Sequence, residues 1–402
     1  MTRRRWRAAA SGVAVTAIAG VLALSGTGIG ASASYASVRT PRAHRKAAGS
    51  PWVLGAILDL TGSGSTEGVT AKVGITYEIN EINAHGGVAG RRLKLDMCDT
   101  QSTPTGGSEC ASKLAGVNSH IILLLSSLPP TQGAVTQIPK DLAISILPNL
   151  FPKAGTNVFQ DNQLESVEVD QMLKEARRTH LTKLGVIYTS TSSGSSLLAA
   201  ASKEASKFGI SVISEPMDPT ATDVTPQLTQ LRSNGAQFLF AATIGSATNA
   251  VLSSYHTLGL NVPIVLNAAD VGESFLQSLS FPIPPKLYGI ANLAFGPNFA
   301  APVRKAWANL EKAFVKSTGQ TVGAETSGDV FAGCIAARVL LRTHASSAAA
   351  EVSFLAHHTI SCFGSQIRYN IPGLNVPTGL PSALVQAGKT ARDGWGPVHT
   401  PF

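Results

Sequence analysis

The sequence has no Gly-x-Ser-x-Gly elbow, no His-Glu-x-x-His pair and no complete Gly-x-x-x-x-Gly-Lys-Ser/Thr phosphate loop. It therefore lacks the local signatures of esterase, zinc-peptidase and phosphate-loop chemistry. Gly62, Gly64 and Gly68 follow an apolar run much as a dinucleotide fingerprint does, but the last interval is one residue too long. The nine histidines are scattered, and none stands near a serine and a carboxylate in a recognisable order. Triads assemble in space, so a secreted hydrolase stays as a third reading behind two binding functions. No acid occurs in residues 1–46, where eight basic residues lie: Arg3, Arg4, Arg5, Arg7, Arg39, Arg42, Arg45 and Lys46. They are eight of 32, and the other 24 match the 24 acids of the chain. A neutral body has no cationic footprint for phosphate, so no nucleic acid is expected as a partner. No cysteine precedes Cys98, which leaves no N-terminal thiol to carry a lipid.

What stands at the start is a secretion pattern. Arg3–Arg7 lead into the uncharged run Ala8–Gly30 and then into Ala31-Ser32-Ala33, a small-residue cleavage site. Residues 1–33 read as a signal peptide and 34–51 as a basic, disordered linker. The arginine run also suits twin-arginine export, and the apolar run is long enough to stay behind as a membrane anchor. The protein is expected outside the cytoplasm, secreted or at the cell surface. The remainder, roughly 350 residues, exceeds one core and suits two domains. Four cysteines in an exported chain suggest two disulfides, and of three possible pairings nearness favours Cys98–Cys110 and Cys334–Cys362. A zinc site from His357, His358 and Cys362 is the alternative.

Past Pro51, short apolar runs alternate with helical segments. Val53–Asp59, Arg92–Cys98, His120–Leu125 and Ala143–Leu147 read as strands. Gly68–Ala84 reads as a helix with Ala71, Ile75, Ile79 and Ile82 on one face, and further helices start near Pro104 and Thr131. The rhythm repeats with strands Lys183–Tyr188, Ile210–Ser214, Gln237–Ala241 and Pro263–Leu266. Helices Ser195–Phe208, Val224–Asn234 and Ser246–Leu258 separate them. Val303, Trp307, Leu310 and Phe314 mark one face of a later helix, Asp329–Arg342 is another, and the tail from Ile371 shows no assignable pattern. Apolar strands separated by helices form parallel sheets through right-handed crossovers. The class is α/β, with two doubly wound parallel-sheet lobes.

Open parallel sheets bind ligands beyond the carboxyl ends of their strands. Those loops hold Thr61–Glu67, Ser126-Ser127, Asn149, Thr189–Ser196, Thr243–Ser246 and Asn267–Asp270. Nearly all are small hydroxyl or amide residues with glycine, suited to a compact polar ligand, although about half would serve as helix caps.

The segments Gly55-Ala-Ile-Leu-Asp-Leu-Thr-Gly62 and Glu81-Ile-Asn-Ala-His-Gly-Gly-Val-Ala-Gly-Arg91 resemble the periplasmic leucine/isoleucine/valine-binding protein family of ABC importers. So does Leu93–Asp99 with Gln101-Ser102, and Thr131–Pro148 keeps the family's spacing. The resemblance implies a type I periplasmic-binding fold, two lobes joined by a three-strand hinge. Crossovers are expected near Gln163–Val169, Leu293–Pro297 and Phe363–Gln366. Lobe 1 would comprise 52–165 and 296–364, and lobe 2 166–295 and 365–402. It further implies a small-molecule ligand between lobes that close by hinge motion, and a monomeric receptor that meets an ABC permease in the membrane. No catalysis, cofactor or metal is implied. In the family the head group of an amino acid is held at positions matching Ser127 (or Ser126), Asn149 and Asp270. Ser127 would take a carboxylate, while Asp270 would take an ammonium group or cap the helix beginning near Gly272. Glu67, Ser193 and Ile244-Gly245 stand where the family has tyrosines. That leaves the ligand open among a branched-chain amino acid, an amino acid derivative and an amide. The alternative function is an extracellular sensing or presenting module of the same fold.

Overall fold

The computed structural model describes residues 49–62, 64–116, 120–138, 140–145, 150–292, 301–320, 322–380, 382–389 and 394–402. The expected signal peptide, Asn149 and the expected crossover Leu293–Pro297 lie outside the described residues. Among those described, no helix is long and apolar enough to cross a membrane.

Continuous apolar runs become strands buried on both faces. The first sheet contains β1 (Trp52–Leu58), β2 (Leu93–Asp99), β3 (Ile121–Leu125), β4 (Leu142–Ser145) and β5 (Val158–Gln160). They are all parallel, in the order β2-β1-β3-β4-β5. Helices α1 (Ser65–Ala84), α2 (Pro104–Gly116) and α3 (Leu128–Val135) connect them. α3 begins three residues before the expected Thr131, because Pro129 and Pro130 fit a first helical turn, where no N–H is needed.

The chain then passes from the end of β5 to α4 (Glu165–Arg178), whose apolar face packs in the core of the second sheet. That sheet has the order β14-β13-β10-β9-β8-β6-β7. β6 (Lys183–Thr189), β7 (Ser211–Met217), β8 (Phe238–Ala242), β9 (Ile264–Leu266) and β10 (Leu287–Asn292) run parallel. α5 (Ser192–Lys207), α6 (Thr225–Ser233), α7 (Ser246–Thr257) and α8 (Glu273–Ser278) complete this lobe, with a 3-10 turn at Ala268–Asp270.

Residues after β10 return to the first core. Val303, Trp307, Leu310 and Phe314 of α9 (Ala301–Thr318) are all buried there, as their spacing required. α10 (Ala324–Thr343), α11 (Ala348–His357) and the hairpin β11 (Ile360–Cys362) and β12 (Ser365–Ile367) follow. Phe363–Gln366, expected as a crossover, is the turn and second strand of this hairpin instead. Phe363 and Gly364 have φ of 47° and 81°, so both central residues adopt the left-handed backbone that a two-residue hairpin turn demands. The chain stays with the first lobe well beyond that point. Asn375 bonds to Pro152 and Gln160 through its backbone and to Val158 (3.0 Å) through its side chain. Only then do β13 (Ser382–Ala387) and β14 (Trp395–Gly396) close the second sheet by antiparallel pairing.

Both expected disulfides are present. Cys98–Cys110 ties the end of β2 to α2, and Cys334–Cys362 ties α10 to β11. Cys362 is thereby unavailable to the zinc alternative, and the described residues contain no cluster of three or more metal-ligating side chains.

Candidate functional site

The loops beyond the carboxyl ends of β1 and β3 are fastened by one buried aspartate. Asp59 follows β1 and is 1% exposed. Its Oδ2 accepts from the Ser127 N–H at 2.9 Å and from the Ser127 hydroxyl at 2.6 Å, and its Oδ1 accepts from Thr100 Oγ1. A Cβ at Gly68 would stand 2.0 Å from the Asp59 carbonyl oxygen, so α1 can start this close to β1 only with glycine there. Asp99, at the end of β2, accepts from Leu60 N (2.9 Å), Thr61 N (3.1 Å), Thr61 Oγ1 (2.7 Å) and Gln101 N (2.9 Å). Although desolvation opposes it, these donated bonds hold the Asp99 carboxyl below its usual range. Ser102 Oγ adds a bond to the Thr61 carbonyl and receives one from Gly64 N. The Asp99–Ser102 turn thus laces the glycine-rich loop onto β2.

The second lobe repeats the device. Asp270 ends the 3-10 turn, is 4% exposed, and accepts from Gly245 N at 2.8 Å and Thr248 Oγ1 at 2.5 Å. Thr248 Oγ1 also meets Thr243 Oγ1 at 2.7 Å. Asp270 therefore caps the start of α7 and not the helix after Gly272, and Gly245 supplies that start with φ of 61°. Burial pushes Asp270 up to about 7, against the bonds from Thr248 and Gly245 and with help from the charge of Glu67. Glu67, half-buried in the first turn of α1, is itself raised by burial and by Asp59. Carboxyl groups of both lobes thus share one field.

These contacts decide what the expected residues can offer. Ser126 is buried, and its hydroxyl meets Thr131 Oγ1 (3.0 Å). Ser127 donates its hydroxyl hydrogen bond to Asp59, so what it can still offer is lone pairs. Its helix terminus is poor in donors: Pro129 and Pro130 carry no N–H, and Thr131 N is bonded to the Ser127 carbonyl. The carboxylate expected there would find few partners. Ser193 is exposed at the start of α5, where Thr191 serves as the cap, and Ile244 is 40% exposed beside Gly245. Among the described residues, the hydroxyls of Ser126 and Ser127 meet Thr131 and Asp59. Asp59, Thr100 and Thr248 were missed as site residues; an acid directly after an apolar strand, in Leu58-Asp59-Leu60-Thr61-Gly62, was the available signal for the first.

Comparison with known proteins agrees with this architecture. The profile described as periplasmic binding protein matches residues 51–353. A Leu/Ile/Val-binding protein homologue of Brucella melitensis is 24% identical over 226 residues, 53% of this chain and 60% of that protein. The matched span is therefore less than two thirds of that relative's length. An ABC transporter substrate-binding protein from Desulfitobacterium hafniense, solved in complex with Leu, superposes with a TM-score of 0.68 at 16% identity, covering 85% of this chain and 99% of that one. A solute-binding protein of an ABC transporter from Rhodopseudomonas palustris BisB5, bound to 3,4-dihydroxybenzoic acid, gives 0.70 at 13% identity, with 85% and 94% covered. Two parallel-sheet lobes, cleft loops fastened by buried aspartates, and a profile match over 303 residues lead to one conclusion: the chain belongs to the periplasmic binding protein family.

Proposed function

We propose that this chain is an extracytoplasmic solute-binding protein that closes two lobes around a small polar ligand and delivers it to an ABC importer, without catalysing a reaction. The observation that carries the reading is the pairing of Asp59 and Asp270, which fasten the facing loops of the two lobes in the same way. A cleft built so is rigid within each lobe, which suits hinge closure. Ser127, Asn149, Ser193, Glu67, Asp270 and the Ile244-Gly245 turn line the ligand space in this proposal, with Ser126 behind Ser127. The acceptor-rich loops favour a ligand that donates: an amino acid, an amino acid amide or a similar amine. Relatives of this fold hold ligands as different as leucine and dihydroxybenzoic acid, so ligand choice follows from the side chains rather than the frame.

Thermal-shift screening and calorimetric titration of the purified exported protein test this. Amino acids, their amides, the corresponding nitrogen-free carboxylic acids, sugars and nucleosides form the panel. A rise in melting temperature of several degrees with an amino acid or an amino acid amide is expected. Stabilisation by sugars or nucleosides alone contradicts the reading of the pocket.

A further inference from the structure

Two disulfides cross-link the first lobe, and one of them bears on the ligand loops. Cys98 stands directly before Asp99 on β2, the edge strand of the sheet, and Cys110 lies in the second turn of α2. Cys110 Sγ is 3.3 Å from the Asp99 carbonyl oxygen. The cross-link thus pins the turn that fastens Leu60, Thr61 and Gly64. Next in the chain, Thr100 donates to Asp59, which accepts from the N–H and hydroxyl of Ser127. That is one route from the disulfide to the cleft. A second runs through α2. A Cβ on Gly106 would collide with the Thr100 carbonyl, one on Gly107 with the Pro130 carbonyl, and one on Gly133 with the Pro104 carbonyl. Backbone therefore rests on backbone from the end of β2 through α2 to α3, and Ser108 Oγ donates to the Gly133 carbonyl at 3.0 Å. Such contacts have no side chain to absorb a shift, so a displacement of α2 passes to α3, whose N-cap residue is Ser127.

The other disulfide is placed differently. It joins α10 to β11 in the core on the opposite face, whereas the bonds that fasten Leu60, Thr61, Gly64 and Ser127 come from Asp99, Ser102 and Asp59, around the ends of β1 and β2. Access differs as well. Cys334 and Cys362 are both buried, while Cys98 is half-buried on the edge strand with Cys110 buried behind it. A disulfide is opened by a thiolate that reaches one of its sulfurs, and Cys98 offers that approach.

We propose that the Cys98–Cys110 disulfide is a redox-sensitive lever on the cleft: oxidised, it holds the Asp59, Asp99 and Ser127 loops in their binding arrangement, and its reduction by a dithiol loosens them and lowers ligand affinity. The effect on affinity rests on the solute-binding reading; the loosening of the loops does not. One thiolate of the dithiol attacks Cys98 Sγ, the S–S bond breaks, and Cys110 leaves as a thiolate that takes up a proton. The second thiolate displaces Cys98, which is protonated in turn, and closes the reagent's own disulfide. Two electrons and two protons pass from the dithiol to the protein.

Amide hydrogen exchange of the purified protein, oxidised and after graded treatment with dithiothreitol, tests the lever, with alkylation and peptide mapping to show which sulfurs are free. Cys98 and Cys110 are expected to be freed before Cys334 and Cys362. Exchange at the Leu60, Thr61 and Ser127 amides should then quicken by about tenfold or more, as opening of a local unit does, while α10 keeps its rate. Cys98→Ser with Cys110→Ser should give the same pattern without reagent, and reoxidation of the wild-type protein should restore the slow rates. Calorimetry with L-leucine and leucinamide supplies the second readout. Affinity for whichever binds the oxidised protein should fall by about fivefold or more on the same reduction, since a loosened site is competent for a smaller fraction of the time. Unchanged exchange at the three amides with Cys98 and Cys110 free overturns the lever. So does faster exchange with unchanged affinity, and so does a rise in exchange across the whole chain, which marks a structural staple. If neither compound binds the oxidised protein while the exchange response is present, the loosening stands and the amino acid reading of the ligand falls.

Discussion

Burial pushes Asp270 up to about 7, Glu78 to about 8 and Glu351 to about 8. For Glu78 the charge of Glu81 adds to burial and Arg338 opposes it, while Asp141 adds for Glu351. An acid raised in the folded state binds its proton more tightly there than in the unfolded chain, whose carboxyls titrate near 4. Stability contributed by these groups is therefore present at low pH and declines as pH rises from about 4 to about 8. The urea midpoint is expected to be higher at pH 5 than at pH 8, and Glu78→Gln should flatten the difference. A midpoint that rises over this interval contradicts the assignment. Sequence located Ser127 and Asp270 in cleft loops but did not give their roles. Their partners are 68 residues away for Ser127 and 25 and 22 residues away for Asp270, so a fold is needed to see that Ser127 already donates to Asp59.

Two of the glycines at close approaches between elements have different kinds of neighbour. At Gly68 a Cβ would meet backbone, the Asp59 carbonyl oxygen at 2.0 Å, so β1 or α1 must move. At Gly333 a Cβ would meet side chain rather than backbone, with Glu78 Cγ at 2.7 Å. Gly68→Ala should lose about 1–3 kcal/mol by overpacking and also loosen the Ser127 loop, whereas Gly333→Ala should lose less. Urea unfolding of the two variants decides it, and equal losses contradict the distinction. Most strands and helices were legible because fully buried strands such as β3 and β8 are unbroken apolar runs. β5, at three residues, is too short for a period, and β10 carries Gly289 behind a proline-rich approach. That glycine is required by packing: its Cβ would lie 2.4 Å from Val271 Cγ2. The C-terminal tail was illegible for another reason, since its irregular part is held in part by Pro152, Ala154 and β5, all distant in sequence.

At the scale of the molecule, the chain passes between the sheets after β5, after β10 and again before β13. Each sheet keeps its own core and its own aspartate-fastened loops, so closure can rotate one lobe against the other with little change inside either. The two disulfides lie at the first sheet, one on each face, and stiffen that lobe rather than the passage between the two. A receptor built this way should become more compact when ligand fills the cleft. Small-angle X-ray scattering of the purified protein, with and without a saturating concentration of a ligand identified by calorimetry, measures this directly. The account predicts a smaller radius of gyration in the bound form, and an unchanged radius at confirmed saturation would contradict it.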